Sequence, residues 1–284
     1  MPIRVAVGRD RVLREVRCAA PLMADLAAPV TARGPWLTAV LNAGGVRRFS
    51  GRPVAVVLEA PGSERPDAVA FLHLRRRGHI VVVTMLGDGI GPVPGGRPPA
   101  RLLARDEHSA ALLAEGIQDL LGSLPGSGRL RLTGLPMGDP TARRLAATFL
   151  DGRIGNVRSR VLVDPLDDGD GSAVRRSTDP RVLERWLPFL LDRLPDPWDR
   201  SFLRAAARLH AAIGQLEVGV ATEGEQPRVA LLTLVDGTDR WPWWGTTAGG
   251  AALPTAPGAP LVALTVPSRG WPPVPGLRSR SAAR

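Results

Sequence analysis

Three apolar runs follow one another between residues 53 and 86: PVAVVLE (53–59), AVAFLHL (68–74) and HIVVVTML (79–86). Each is apolar, bounded by turn residues and too short for a helix of ordinary length, so each reads as a strand. The linkers are short, APGSERPD and then RRRG. A parallel crossover needs about a dozen residues or more, which leaves an antiparallel meander. The chain must therefore build a sheet, and helices have to cover it.

Helical patterns flank the meander. TARGPWLTAVLN (31–42) spaces Trp36, Leu37, Val40 and Leu41 along one side, with Gly44-Gly45 as a stop. After the loop GDGIGPVPGGRPP, Asp106 is placed to cap a helix running to about Leu121, in which Ala111, Leu112 and the run from Ile117 supply the apolar side. A strand at 129–135, a helix at 140–149 and a strand at 159–164 complete a first half, residues 1–165. The stretch DPLDDGDGSAV (164–174) has no periodicity and reads as a linker. A second half, residues 175–284, opens with a helix that Ser177, Thr178 or Asp179 can cap, with Pro180 in its first turn and Pro188 as a kink point. A helix at 201–214 follows, with Leu203, Ala206, Ala207, His210 and Ile213 on one stripe. Next come the strands QLEVGVAT and PRVALLTLV and a third strand from Asp239 that contains RWPWWGTT. The fold class is α/β with mixed, mostly antiparallel sheets and two halves.

Composition narrows the chemistry. The 284 residues are 44% hydrophobic and carry a formal charge of +10, and all 37 basic residues are arginine. Without lysine there is no Schiff base, no pyridoxal phosphate anchor and no Walker loop. The single cysteine, Cys18, cannot form an internal disulfide or a multi-thiolate metal site. No apolar run approaches the roughly 18 residues of a membrane span, and the first 20 residues carry five arginines and no signal-type apolar core. The expectation is a cytoplasmic protein. The basic charge suits RNA or anionic ligands, but arginine, alanine, glycine and proline share GC-rich codons, so a dispersed soluble surface is the preferred reading.

GxSxG, CxxC, HExxH and GxGxxG are all absent. The glycine loop at 87–96 follows a strand and could turn amides toward an anion, yet its prolines remove donors, so a plain loop is the competing reading. Asp167, Asp168 and Asp170 lack the spacing of a calcium loop. His210 and His73 lie on apolar faces, His79 begins a strand and His108 begins a helix, all compatible with structural roles. Two carboxylates stand out. Glu217 shares a strand face with Gly219 and Ala221, where a ligand would have room, or else it pairs with an arginine. Asp88, in MLGDG, sits at a strand-to-loop junction, as a cleft acid or as a turn residue. In RWPWWGTT, Trp241 and Trp243 share one face and Trp244 takes the other, while Pro242 favours an edge or a bulge. These rings are either core or the wall of a binding site.

The segment FLRAAARLHAAIGQLEVGVATEGEQPRVALLTLVDGTDRWPWWGTT resembles the core of FemAB-like transferases, which have the GNAT (N-acyltransferase) fold. GPWLTAVL, VTMLGDG and RLRLTGLP in the first half are similar to that family's tryptophan-bearing helix, its strand ending in leucine, glycine and aspartate, and its later strand. The likeness runs over residues 30–265. It implies two GNAT-like halves and transfer of an acyl or aminoacyl group to a small-molecule or peptide amine. The donor would be an acyl-CoA or an aminoacyl-tRNA, with no permanently bound cofactor and no metal. On that reading Asp88 or Glu217 takes the proton, and Arg240, Trp241, Trp243 and Trp244 lie at the donor, because a GNAT fold splays a pair of its central strands to admit it. Departures are plain: no [QR]xxGx[GA] loop for the CoA pyrophosphate, and no tyrosine to serve as general acid. PGAPLVALTV stands where a final helix is expected, with Pro267 ending it. The alternative is a non-catalytic binding or scaffold protein built on the same fold.

Overall fold

The computed structural model describes residues 2–44, 51–59, 62, 65–93, 98–125, 127–167 and 173–267. In chain order the first half contains β1 (Ile3–Val7), α1 (Arg9–Cys18), α2 (Ala20–Asp25), α3 (Gly34–Gly44), β2 (Arg52–Glu59), β3 (Pro66–Arg77) and β4 (Ile80–Met85). It continues with β5 (Leu103–Ala104), α4 (Glu107–Ser123), β6 (Ser127–Pro136), α5 (Pro140–Thr148) and β7 (Arg153–Leu162). The rest comprises β8 (Ala173–Ser177), α6 (Pro180–Asp192), α7 (Pro197–Ala212), β9 (Leu216–Glu223), β10 (Gln226–Asp236), β11 (Asp239–Thr247) and β12 (Thr255–Val266). Asp168 and Asp170, the end of the glycine loop and the tail from Ser268 lie outside the described residues.

Two sheets result. The larger has the order β1-β2-β3-β4-β6-β12-β7, with β5 attached to β3; the smaller has the order β11-β10-β9-β8. The meander forms as its short linkers require: β2 to β3 and β3 to β4 are antiparallel. Each half thus begins with a strand, then helices, then a three-strand meander, and in each the first strand pairs with the second. Among the described strands one junction is parallel, β4 to β6, with α4 in its crossover.

One expectation fails outright. PGAPLVALTV is a strand, not a helix: β12 leaves the second half and inserts between β6 and β7 of the larger sheet. Leu264 and Val266 are fully buried while Ala263 and Thr265 are less so, a period of two, and β-branched valines and threonine favour the pleat. Pro257 and Pro260 sit where the β12–β7 register shifts, so their missing N–H groups interrupt no regular ladder. β8 also begins inside the stretch read as linker.

Helices cover both faces of the larger sheet. α4 and α5 bury Leu113, Ile117, Leu121 and Leu145 against one face, whose own contribution includes Val56, Leu72, Leu130 and Leu264. On the other face lie α1 to α3, and α3 packs directly on α7 of the second half. A single core therefore runs from Val57 and Phe71, through Val16, Trp36 and Val40, to Leu203, Ala207, Val218 and Leu232. Cap residues set the helix starts. Asp106, Asp139, Asp179 and Asp196 each accept a backbone N–H of the first turn, and Pro180 and Pro197 occupy positions where no donor is needed. Arg33 fastens the halves by pairing with both Asp236 and Asp239 in the β10–β11 turn.

Candidate functional site

β4 and β6 run together from Ile80 and Ser127 only as far as Thr84 and Arg131. Beyond that point β4 ends and its chain turns away: the Leu86 amide donates to Phe71 O (3.0 Å) and the Asp88 amide to Met85 O (3.1 Å). β6 continues to Pro136 with β12 on its far side. The strands diverge, and the notch between them is lined by Thr31, Trp36, Met85, Asp88, Pro99 and Thr133.

The chain fills that notch itself. Ala100 donates its amide to Gly134 O at 2.7 Å, and the Thr31 hydroxyl donates to Pro99 O. Gly134 has φ +80, and a Cβ there would lie 2.5 Å from Pro98 O, so the close approach requires glycine. About 20 Å3 remains open, close to the room of a single water. The segment is anchored on its far side, where β5 pairs with β3 and Arg101 donates to Leu26 O.

Asp88 is half-buried at the notch, and its carbonyl accepts from Arg75 Nη2 at 3.0 Å. The same guanidinium donates through Nε to His73 Nδ1 (3.1 Å). Burial, then the Arg75 charge, lowers the His73 pKa and holds the ring neutral.

α4 follows the long loop after β4, and its first turn is a candidate anion site. There the side chain of Asp106 accepts the Ser109 amide at 2.7 Å, and Glu107 follows in the first turn. The Ser109 amide bond lowers the Asp106 pKa, so the carboxylate is charged. Two carboxylates at this helix end complement its dipole and repel a phosphate; the residues do not fit a pyrophosphate there.

Glu217 is not at the notch. It lies on β9 and its side chain is 13% exposed, between Arg240 Nη2 (2.5 Å) and Arg176 Nη1 (3.1 Å), and Arg176 also binds Asp164 (2.8 Å). Burial pushes the Glu217 pKa up, but the hydrogen bonds and charges of the two arginines outweigh it and hold the pKa below the usual range. The small-residue face is filled: Leu166 Cδ1 occupies the space that a Cβ on Gly219 would need.

The tryptophans are packed. Trp243 is 1% exposed, and its indole donates to Pro92 O (3.2 Å). The register of β10 and β11 shifts between Leu232 and Thr233, leaving Trp243 outside the ladder beside Pro242, as the proline suggests. Trp36 meets Trp241, Trp243 and Phe202 edge-on at centroid distances of 5.8, 5.4 and 5.7 Å. Trp244 donates instead to Leu190 O on α6 (3.0 Å). Among the described tryptophans, Trp36 is the one that lines the notch, a role its helical pattern does not disclose.

No family model matches the chain, and no curated protein matches it. Among solved structures it is similar to a tandem GNAT protein from the clavulanic acid biosynthesis pathway, solved without AcCoA. That match has 14% identity and a TM-score of 0.40, and covers 94% of this chain and 99% of the other. It is also similar to FemX, at 11% identity and a TM-score of 0.43, covering 82% of this chain; the match spans 58% of the FemX chain. A third is a protein of unknown function from Enterococcus faecalis V583, described as a probable N-acyltransferase. Its identity is 10% and its TM-score 0.32, with 93% of this chain and 72% of that one covered.

Proposed function

We propose that the chain is a FemAB-like N-acyltransferase whose reaction takes place where β4 and β6 diverge. The observation that carries this reading is the notch, with Asp88 at its mouth. An amine nitrogen attacks the donor's carbonyl carbon, the ester or thioester bond breaks, and the alcohol or thiol leaves with a proton. Asp88 takes the proton that the amine loses and returns it to the departing alkoxide or thiolate, so that the carboxylate is regenerated. The carboxylates at the start of α4 argue against a CoA pyrophosphate there, so an aminoacyl ester is the better donor. For a donor to enter, Pro98–Ala100 has to leave Gly134. Turnover of aminoacyl-tRNA and acyl-CoA panels by wild type and Asp88→Asn is the test. Transfer by the wild type that the variant loses, with its fold intact by circular dichroism, supports the assignment. Equal turnover removes Asp88 from it.

A second reading, a binding protein without turnover, is favoured by the same segment: the notch is filled by the chain's own backbone. Absence of transfer from every donor, in wild type and in a chain with Pro98-Pro99 replaced by glycines, decides for it.

A further inference from the structure

A second cavity lies in the other half, between β8 and α6. It measures about 650 Å3, within the usual range for small-molecule sites. Its construction follows from the pleat. Arg175 and Ser177 on β8 pair with Val220 and Val218 on β9, and partners in an antiparallel ladder share a face. Val218 and Val220 belong to the core beneath the helices, so Arg175 and Ser177 project on that same side, at the open edge of the sheet. α6 lies above and contributes Val182, Arg185 and Trp186. The floor is therefore apolar, formed by Val182, Trp186 and Val220, and the rim is polar.

The charges on this rim are unbalanced. Arg185 lies over the Trp186 ring, 4.9 Å from its centroid, a cation–π contact that uses no carboxylate. Neither Arg175 nor Arg185 pairs with a carboxylate among the described residues, whereas Arg176 on the opposite face binds Asp164 and Glu217. Glu225, in the β9–β10 turn, is the acid that borders the cavity.

We infer that this cavity binds a small organic oxyanion, a phosphate monoester or a carboxylate on an apolar body. The body rests on Val182, Trp186 and Val220, and the oxyanion bridges Arg175 and Arg185. The site is separate from the notch and does not depend on acyl transfer. Isothermal titration of the full chain with 1-naphthyl phosphate, 1-naphthoate and neutral 1-naphthol tests it. The anions are expected to bind at least about tenfold more tightly than naphthol. Arg175→Gln and Arg185→Gln should each weaken them by about tenfold, from the usual strength of charge-assisted bonds. Tighter binding of the phosphate identifies a phosphate monoester as the natural class, and tighter binding of naphthoate a carboxylate. The inference is overturned if no probe binds, if naphthol binds as well as the anions, or if the double variant, folded by circular dichroism, keeps wild-type affinity.

Discussion

Replacing Trp243 by alanine should weaken the whole molecule rather than one binding step. The indole is buried where the two halves meet, edge-on to Trp36 and 6.2 Å from the Phe202 ring, and it supplies the hydrogen bond to Pro92 O. Removing a buried indole costs about 3–5 kcal/mol when the cavity cannot collapse. The upper end applies here, because Pro92 O loses its donor and the neighbours are rigid rings. Trp243→Phe keeps a ring against Trp36 and Phe202 but loses the donor, and about 1–2 kcal/mol is expected. Urea unfolding followed by circular dichroism gives both numbers. Since one core serves both halves, the wild type should unfold in a single transition, and Trp243→Ala should shift its midpoint or split it. A loss below about 1 kcal/mol for the alanine variant, the range of surface substitutions, would refute the packing argument.

Three further outcomes are expected. His210 is fully buried with neither ring nitrogen hydrogen-bonded among the described residues, and burial lowers its pKa to about 4, with Asp236 opposing. Its contribution is intact above the unfolded value near 6.5 and is lost as pH falls toward 4, by about 3 kcal/mol. Asp139, raised by burial to about 6, acts in the opposite sense, so unfolding free energies of wild type and His210→Phe should be compared from pH 7 to 4; parallel curves would contradict the assignment. Glu217→Gln leaves Arg240 and Arg176 without their shared anion and should cost about 1–3 kcal/mol in thermal melts, an effect absent if the pairs are worth nothing. Gly134→Ala should expel Pro98–Ala100 at a cost of about 2–3 kcal/mol, combining the left-handed backbone penalty with a lost hydrogen bond. Trypsin should then cut after Arg101 faster than in wild type, and an unchanged rate would mean that the segment is not held at Gly134.

Local chemistry makes much of this architecture legible. The meander from Arg52 to Met85 and the caps at Asp106 and Asp179 depend on residues within a few positions of one another, and they form as their sequences predict. β12 is ambiguous because a valine- and leucine-rich stretch before Pro267 fits either element until its partners are known, and those partners are distant in sequence, on β6 and β7. α1 is hidden among charges: Arg9, Arg11, Arg14 and Arg17 are the solvent side of a helix that buries Val12 and Val16. At the candidate site the divergence of β4 and β6 is a register property, and the segment that fills it is held by the Ala100 amide on Gly134 O and by Thr31 and Arg101 donating to backbone carbonyls, contacts that leave no mark in the apolar periodicity. Arg176 and Arg240 around Glu217 are foreseeable only as a class, since 37 arginines offer many partners.

The place of β12 also sets a timetable for synthesis. β6 is made early, but the strand that covers its far edge emerges more than a hundred residues later, on the order of ten seconds at about 5–20 residues per second. For that interval β6 is an open edge, and β7, which among the described strands pairs with β12, has no place in the sheet. In this sheet the nascent chain therefore stays unfinished until β12 arrives, with the far edge of β6 exposed throughout that interval.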